Sequence, residues 1–126
     1  MKGGARAAAG AAAERQAVRF LKRQGLAVLA TNYRCRLGEI DIIARDGETL
    51  VFVEVRLRRH GAFGGAAASV DPRKQRRLAA AAAHYLQHAF GAFPPPCRFD
   101  VLAWDGACAD RSPALQWLKD AFRLDD

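Results

Sequence analysis

"GEIDIIARDGETLVFVEVR", residues 38–56, specifies the centre of the fold of this 126-residue chain. Residues 39–45 and 49–57 are rich in Ile and Val, and Asp46-Gly47 stands between them. An Asp-Gly pair between two such runs predicts a β-hairpin. The second run contains LVFVEV, which is almost continuously apolar and therefore typical of a central strand covered on both faces. The hairpin thus predicts the middle of a sheet that other elements cover.

Charged residues interrupt these apolar strands. Strand side chains alternate between faces, so Glu39 and Asp41 point the same way. Glu54 and Arg56 share a face for the same reason. Pairing through the turn would place Asp41 close to opposite Glu54, where two carboxylates repel unless a cation or a proton lies between them. Mg²⁺ is commonly held by one or two carboxylates with phosphate oxygens. The alternative is a hairpin with one solvated charged face.

The rest of the chain predicts two helices and further strands. The predicted elements are a helix over residues 11–24, strands over 26–34 and 97–104, and a second helix over 72–90. Gly25 is suited to end the first helix. Asp71 is a good N-cap for the second, and Pro72 suits its first position. The tail PALQWLKDAF is compatible with a strand or a helical turn. The order αβββαβ indicates an α/β fold, with a mixed sheet flanked by helices.

Charges occupy unusual positions on both predicted helices. Glu14 continues the apolar stripe of the first helix, where a carboxylate is costly without a partner. Alternatively, Glu14 is a first-turn residue that favours the helix dipole. The second helix opens with a basic run, Arg73, Lys74, Arg76 and Arg77. Cations there oppose the dipole, so a phosphate docked at the helix start would explain them, and a solvated basic face is the alternative.

Composition indicates one basic domain. The net charge of +7 favours phosphate-bearing partners. We expect nucleic acid and no membrane, because no basic helix carries a broad aromatic face. Three cysteines without CxxC spacing argue against disulfides or zinc and for a cytoplasmic location. We expect residues 1–9 to form a flexible arm, residues 58–70 to form a mobile loop, and residues 10–126 to form a single domain.

Two other patterns predict structural roles. His84 and His88 lie four residues apart on a predicted helix, yet no third ligand accompanies them, so we expect surface or packing roles. The cysteines are expected to serve as small core residues.

The chain resembles the YraN family of small bacterial proteins, whose fold is like that of Holliday-junction resolvases. The similar segments, in order, are AERQAVRFLKRQGLAVLATNYR, GEIDIIARDGETLVFVEVR, VDPRKQRRLAAAAAHYL and RFDV. The similarity runs from about residue 13 to residue 122. It implies the PD-(D/E)xK nuclease superfamily, with a restriction-endonuclease-like αβββαβ core. It also implies a metal-dependent endonuclease that hydrolyses phosphodiester bonds of DNA, with branched or junction DNA as an expected substrate.

The resemblance also implies the residues of a site. Glu14, Asp41 and Glu54 would hold Mg²⁺ or Mn²⁺, directly or through water, and Glu39 would support that site or contact DNA. The residues expected to contact nucleic acid are Arg58, Arg59, Arg73, Lys74, Gln75 and Arg77. Charge alone does not distinguish DNA from RNA, and the sequence leaves a homodimer open.

Arg56 departs from the superfamily pattern, which has Lys at this position. Arginine carries the same charge and can bind phosphate through two nitrogens, but it cannot act as a base. Lys74 would supply an ammonium if it reaches the sheet from its helix. Two interpretations therefore remain at this point. The protein is a nuclease in which Arg56 replaces the usual lysine, or it is a nucleic-acid-binding module that keeps the fold without catalysis.

Overall fold

The structure, a computed structural model, describes residues 4–58, 70–105 and 114–123. Its elements are α1 (Gly4–Arg23), β1 (Ala27–Cys35), β2 (Gly38–Asp46), β3 (Thr49–Arg58), α2 (Pro72–Phe90), β4 (Cys97–Asp105) and β5 (Ala114–Phe122). This is the predicted αβββαβ order followed by one more strand. The prediction of an α/β fold with a restriction-endonuclease-like core is confirmed.

The strands form one five-stranded mixed sheet in the order β1-β2-β3-β4-β5. The pairs β1–β2, β2–β3 and β4–β5 are antiparallel, whereas β3 and β4 are parallel. A parallel pair needs a crossover connection, and the segment that contains α2 supplies it. β3 is the central strand, and Val51, Phe52 and Val53 are all buried, as its apolar run predicted. The tail is the edge strand β5.

The two helices cover opposite faces of the sheet. The α1 side contains Ala13, Ala17 and Leu21 packed with Ile42, Ala44, Val51 and Val53. The α2 side contains Leu78, Ala81 and Ala82 packed with Ile40, Ile43, Leu50 and Phe52. Each strand of the hairpin contributes to both cores because successive strand residues point to opposite faces.

The helix ends follow local sequence signals. α2 begins as predicted, since Asp71 is the N-cap and its side chain accepts a hydrogen bond of 2.8 Å from the Lys74 N–H. α1 begins at Gly4 and not at Ala11, because the alanine-rich segment before Ala11 has high helix propensity. The arm predicted for residues 1–9 and most of the loop predicted for 58–70 lie outside the residues whose side chains are described. No helix in the described ranges combines the length and the apolar run needed to cross a bilayer.

Gly38 allows α2 to approach β2 closely. A Cβ atom on residue 38 would lie 2.4 Å from the backbone carbonyl oxygen of Arg77, which is closer than such atoms approach. The absence of a side chain therefore sets the separation between α2 and the first residues of β2. This contact brings the start of α2 near the strand that carries Asp41.

A buried carboxylate joins β5 to the sheet. Asp100 is fully buried, and its oxygens accept hydrogen bonds from Arg98 Nε (3.0 Å) and Trp117 Nε1 (3.0 Å). The Asp120 N–H donates a third bond of 2.9 Å to the same side chain. Arg98 also pairs with Asp46, at 3.1 Å, at the hairpin turn. The RFDV segment of the resemblance thus contains a structural network that links β4, β5 and the hairpin.

The structural roles predicted for the cysteines and histidines are confirmed only in part. Cys35 is half-buried against the α2 core, but Cys97 is exposed, so the expectation of a core role was wrong there. Cys97 is the first residue of β4 and lies beyond the packed centre of the strand. His84 Nδ1 hydrogen-bonds with the Tyr33 hydroxyl, and His88 Nδ1 with the His84 carbonyl oxygen at 2.9 Å. These bonds agree with the expected packing roles.

Candidate active site

Asp41 and Glu54 adjoin at the open end of the β2–β3 hairpin. The ladder runs from the turn to the pair Ile42–Val53 and stops there, one residue before each acid. Just beyond the ladder, the Val55 N–H donates a 2.8 Å hydrogen bond to Asp41 Oδ2. The register predicted from the Asp-Gly turn is therefore confirmed. Where the backbone pairing ends, the Asp41 carboxylate replaces a backbone carbonyl as the acceptor for the Val55 N–H.

The faces of β2 change at the level of Asp41. Ile40 and Ile43 both pack on the α2 side although they are three residues apart, which regular alternation would not allow. On the neighbouring strand, Asn32 lies opposite Asp41 and has a φ of 54°, in the left-handed region. The irregularity lies at Asp41, whose carboxylate lines a cleft beside Glu14 and accepts the Val55 N–H.

Two cations converge on the buried carboxylate of Glu54. Its side chain is 5% exposed. Lys74 Nζ lies 3.3 Å from Glu54 Oε2, and Arg56 Nη1 lies 3.4 Å from the same oxygen. Glu54 and Arg56 thus share a face, as the alternation predicted. Lys74 reaches the sheet from α2, which fulfils the condition under which it could supply an ammonium.

Both acids have raised pKa values, and burial is the main cause in each case. Burial, followed by the negative charge of Asp41, raises the pKa of Glu54 to about 7, although Lys74 and Arg56 act in the opposite direction. Burial also raises the pKa of Asp41, against hydrogen bonds from the Val55 N–H and the Glu54 carboxyl that lower it. Asp41 and Glu54 therefore titrate as a pair, and a proton between them relieves the repulsion.

Glu14 lies on α1 beside a cleft that Asp41 also lines. Asn32 Nδ2 donates a 2.6 Å hydrogen bond to Glu14 Oε1. Burial raises the pKa of Glu14, and the bond from Asn32 lowers it. Glu14, Asn32, Arg34 and Asp41 line this solvent-open cleft, which has a volume of about 450 Å³. The carboxylate that continues the apolar stripe of α1 therefore has a partner, as its position required.

The other predicted site residues lie around this centre. Glu39 is at the surface and forms an ion pair of 3.4 Å with Arg34. Arg73 and Arg77 are exposed at the start of α2. The Gln75 side-chain amide donates a 2.9 Å bond to the Val70 carbonyl oxygen. The side chains of Arg58 and Arg59 lie outside the described residues. Contacts of these residues with nucleic acid stay predictions.

Asp41 and Glu54 fit a hard divalent cation. They present carboxylate oxygens from a sheet, and a cation would relieve the repulsion between the buried Glu54 and the half-buried Asp41. Within the described ranges, however, no group of three or more His, Cys, Asp or Glu side chains is spaced to hold a metal ion. Glu14 would therefore join such a site through a water molecule or after a movement of its side chain. Its predicted role as a ligand stays a prediction.

Asn32 is the site residue that the sequence did not predict. The available signal was its position between Thr31 and Tyr33 in a predicted strand, since asparagine is depleted in strands and tolerates the left-handed conformation. The hydrogen bond of Asn32 with Glu14 depends on how α1 packs against β1, and the local sequence does not predict this packing.

Comparisons with known proteins agree on one family. Residues 13–104 match the model described as "Uncharacterised protein family UPF0102". A UPF0102 protein of Pseudomonas syringae pv. syringae is 49% identical over 122 residues, 97% of this chain and 98% of the relative. One of Pseudomonas putida is 53% identical over 114 residues, 90% of this chain and 92% of the relative. One of Nitrosococcus oceani is 50% identical over 117 residues, 92% of each chain.

We expect Glu54→Gln to gain stability relative to the wild type as the pH rises. The folded-state pKa of Glu54, about 7, exceeds the ordinary value of 4.5, so the folded protein binds this proton more tightly than the unfolded chain. The wild-type free energy of unfolding should therefore fall relative to the variant between pH 4.5 and 7, by up to about 1.4 kcal/mol per pH unit.

Denaturant unfolding of both proteins across this pH range, in the presence of a chelator, measures the difference. A difference in the free energy of unfolding that stays constant with pH would contradict a raised pKa at Glu54.

Proposed function

The chain belongs to the UPF0102 family, also called YraN, and we propose that it is a metal-dependent endonuclease that hydrolyses phosphodiester bonds of DNA. One observation carries the proposal. The buried Glu54 adjoins the half-buried Asp41, Asp41 lines an open cleft, and the Lys74 ammonium lies 3.3 Å from Glu54. Metal-assisted phosphodiester hydrolysis requires acids that can hold a cation and, next to them, positive charge that can face a phosphate.

Each residue of this centre has a distinct part in the proposed reaction. Asp41 and Glu54 would hold Mg²⁺ or Mn²⁺, which when bound neutralises phosphate charge and makes a water molecule more acidic. Lys74 and Arg56 both place positive charge beside Glu54 Oε2. A phosphate that binds next to this oxygen would therefore contact both cations. Their charge stabilises the negative charge that grows on the phosphate in the transition state.

The basic run at the start of α2 supports a nucleic-acid substrate. Lys74 contacts Glu54, and its exposed neighbours Arg73 and Arg77 lie on the same turns of the helix. Phosphates bound by these arginines would therefore lie close to the acid pair. The net charge of +7 adds a general attraction for the backbone of the substrate.

Nucleic-acid binding without cleavage is the second candidate function. Arg56 and Lys74 both pair with Glu54, so the buried acid already has two positively charged partners. Arg56 also differs from the lysine that the superfamily has at this position. A protein of this kind would hold phosphates through Arg56 and the basic run, without turnover.

We expect Glu54→Gln to abolish metal-dependent cleavage while DNA affinity stays equal or becomes slightly tighter, because one negative charge near the phosphate is lost. The assay uses duplex, flap, four-way-junction and single-stranded DNA, and an RNA duplex, with Mg²⁺ or Mn²⁺. Glu48→Gln, the same substitution at an exposed residue of the hairpin turn, is the matched control and should cut normally. Equal cleavage by wild type and Glu54→Gln would exclude the proposed site.

Substitutions at Lys74 and Arg56 separate the two candidate functions. If the protein is a nuclease, Lys74→Ala should lower single-turnover cleavage by about 100-fold to 1,000-fold, the scale for removal of one transition-state charge donor. Arg56→Lys should sustain or raise the rate. Lys22→Ala, at an exposed lysine near the end of α1, is the control.

If the protein only binds nucleic acid, Arg56→Lys should weaken binding modestly, because a two-nitrogen contact with phosphate is lost. No variant should then show turnover that depends on the metal. The same low cleavage in the wild type, Glu54→Gln and Lys74→Ala would indicate a contaminating nuclease and would favour the binding module.

Replacement of both Arg73 and Arg77 by Ala should weaken binding to unrelated DNA sequences alike. The slope of log K against log salt concentration should become shallower by about 0.9 for each lost phosphate contact. Arg19→Ala with Arg23→Ala removes the same charge from exposed positions on α1 and serves as the control. An equal slope for both double variants and the wild type would show that the basic run is a solvated face.

A further inference from the structure

Asn32 adopts a backbone conformation that strand residues avoid. Its φ of 54° lies in the left-handed region, which few residues other than glycine occupy. The consequence is visible on either side of it, because Ala30 and Tyr33 both pack against the α2 core although they are three residues apart. The regular alternation of β1 is therefore interrupted at Asn32, directly opposite Asp41.

The interruption turns the Asn32 side chain toward α1. Its Nδ2 donates a 2.6 Å hydrogen bond to Glu14 Oε1, across 18 positions of sequence. Asn32 and Glu14 line the same cleft as Asp41. This bond uses one oxygen of the Glu14 carboxylate, and Oε2 is the oxygen through which Glu14 would meet a water molecule or a cation.

Stability alone does not explain this arrangement. Asn32 is exposed to solvent, where a hydrogen bond replaces one to water with little net gain. A left-handed residue in a strand is itself unfavourable. Backbone strain kept without a stabilising return is typical of residues that orient a functional group.

We infer that Asn32 is a positioning residue that holds the Glu14 carboxylate beside Asp41 and so raises the affinity of the site for a divalent cation. The inference rests on the proposed function for its cation. Asn32 takes one oxygen of Glu14 and fixes the direction of the other. Residues that support a ligand through a hydrogen bond in this way commonly change metal affinity by 10-fold to 100-fold when they are replaced.

Asn32→Gly tests the inference because glycine adopts the left-handed backbone without strain and lacks the side chain that carries the amide donor. We expect the Mn²⁺ concentration for half-maximal thermal stabilisation to rise by about 10-fold to 100-fold. The Mn²⁺ concentration for half-maximal cleavage should rise in parallel. Asn32→Ala also removes the donor, although it strains the left-handed backbone, and it should raise both concentrations by a similar factor.

A double-mutant cycle separates positioning from a structural role. In a Glu14→Gln background, Asn32→Gly should leave the Mn²⁺ midpoint where Glu14→Gln alone puts it, because the effect of Asn32 passes through the Glu14 carboxylate. Equal effects of Asn32→Gly in both backgrounds would overturn the inference. So would failure of both Asn32 variants to fold, since Asn32 would then be structural.

The outcomes for the wild type distinguish this inference from the proposed function. A wild-type protein that Mn²⁺ stabilises but that cuts none of the substrates would remove the nuclease proposal, and a raised midpoint in Asn32→Gly would still support positioning. A wild type that cuts, with the same Mn²⁺ midpoint as Asn32→Gly and Asn32→Ala, would overturn the inference alone. No stabilisation of the wild type by Mn²⁺ would overturn both.

Discussion

A carboxylate buried in a sheet must be compensated, and the described part of this protein buries two, Asp100 and Glu54. Their surroundings differ in kind. Asp100 accepts hydrogen bonds from Arg98, Trp117 and the Asp120 N–H, and these donors tie the edge strand to the rest of the sheet. Glu54 adjoins another acid, and its pKa is raised to about 7 in spite of two cations. Asp100 therefore closes a structural network, whereas Glu54 lies against a second carboxylate, and a proton or a metal cation would relieve the repulsion between the two acids.

Side chains from the two helices, which cover opposite faces of the sheet, lie near each other at the open end of the β2–β3 hairpin. α2 contributes Lys74 on one side, and α1 contributes Glu14 on the other. Asp41 stands at this end, one residue beyond the last pair of the β2–β3 ladder, where the regular alternation of β2 is also lost. The close approach of Gly38 to α2 sets how near the helix comes to this end. Side chains from three separate elements thus share one small region, although the helices cover opposite faces.

Arg56 shows how a departure from a sequence pattern depends on its surroundings. Taken alone, an arginine in place of the expected lysine weakens the argument for catalysis. In the structure, an ammonium from Lys74 on α2 reaches the same Glu54 oxygen that Arg56 contacts from β3. The superfamily motif supplies one positive charge beside the acid, and this protein has two, Arg56 from β3 and Lys74 from α2. The sequence motif identifies Arg56 as one cation of the site, and only the packing of α2 on the sheet shows that Lys74 is a second cation beside Glu54.

Local rules were enough to predict the αβββαβ order, the hairpin register and the start of α2. The Asp-Gly turn fixes the register, strand alternation puts Arg56 beside Glu54, and Asp71 with Pro72 specifies a helix start, since each signal spans only a few residues. The sequence left the form of the tail open, placed the start of α1 too late and gave no sign of the bond between Asn32 and Glu14. It could state only as a condition that Lys74 reaches Glu54. These features depend on how helices pack across the sheet, where contacts join residues that are 18 or more positions apart and no local preference encodes their distance.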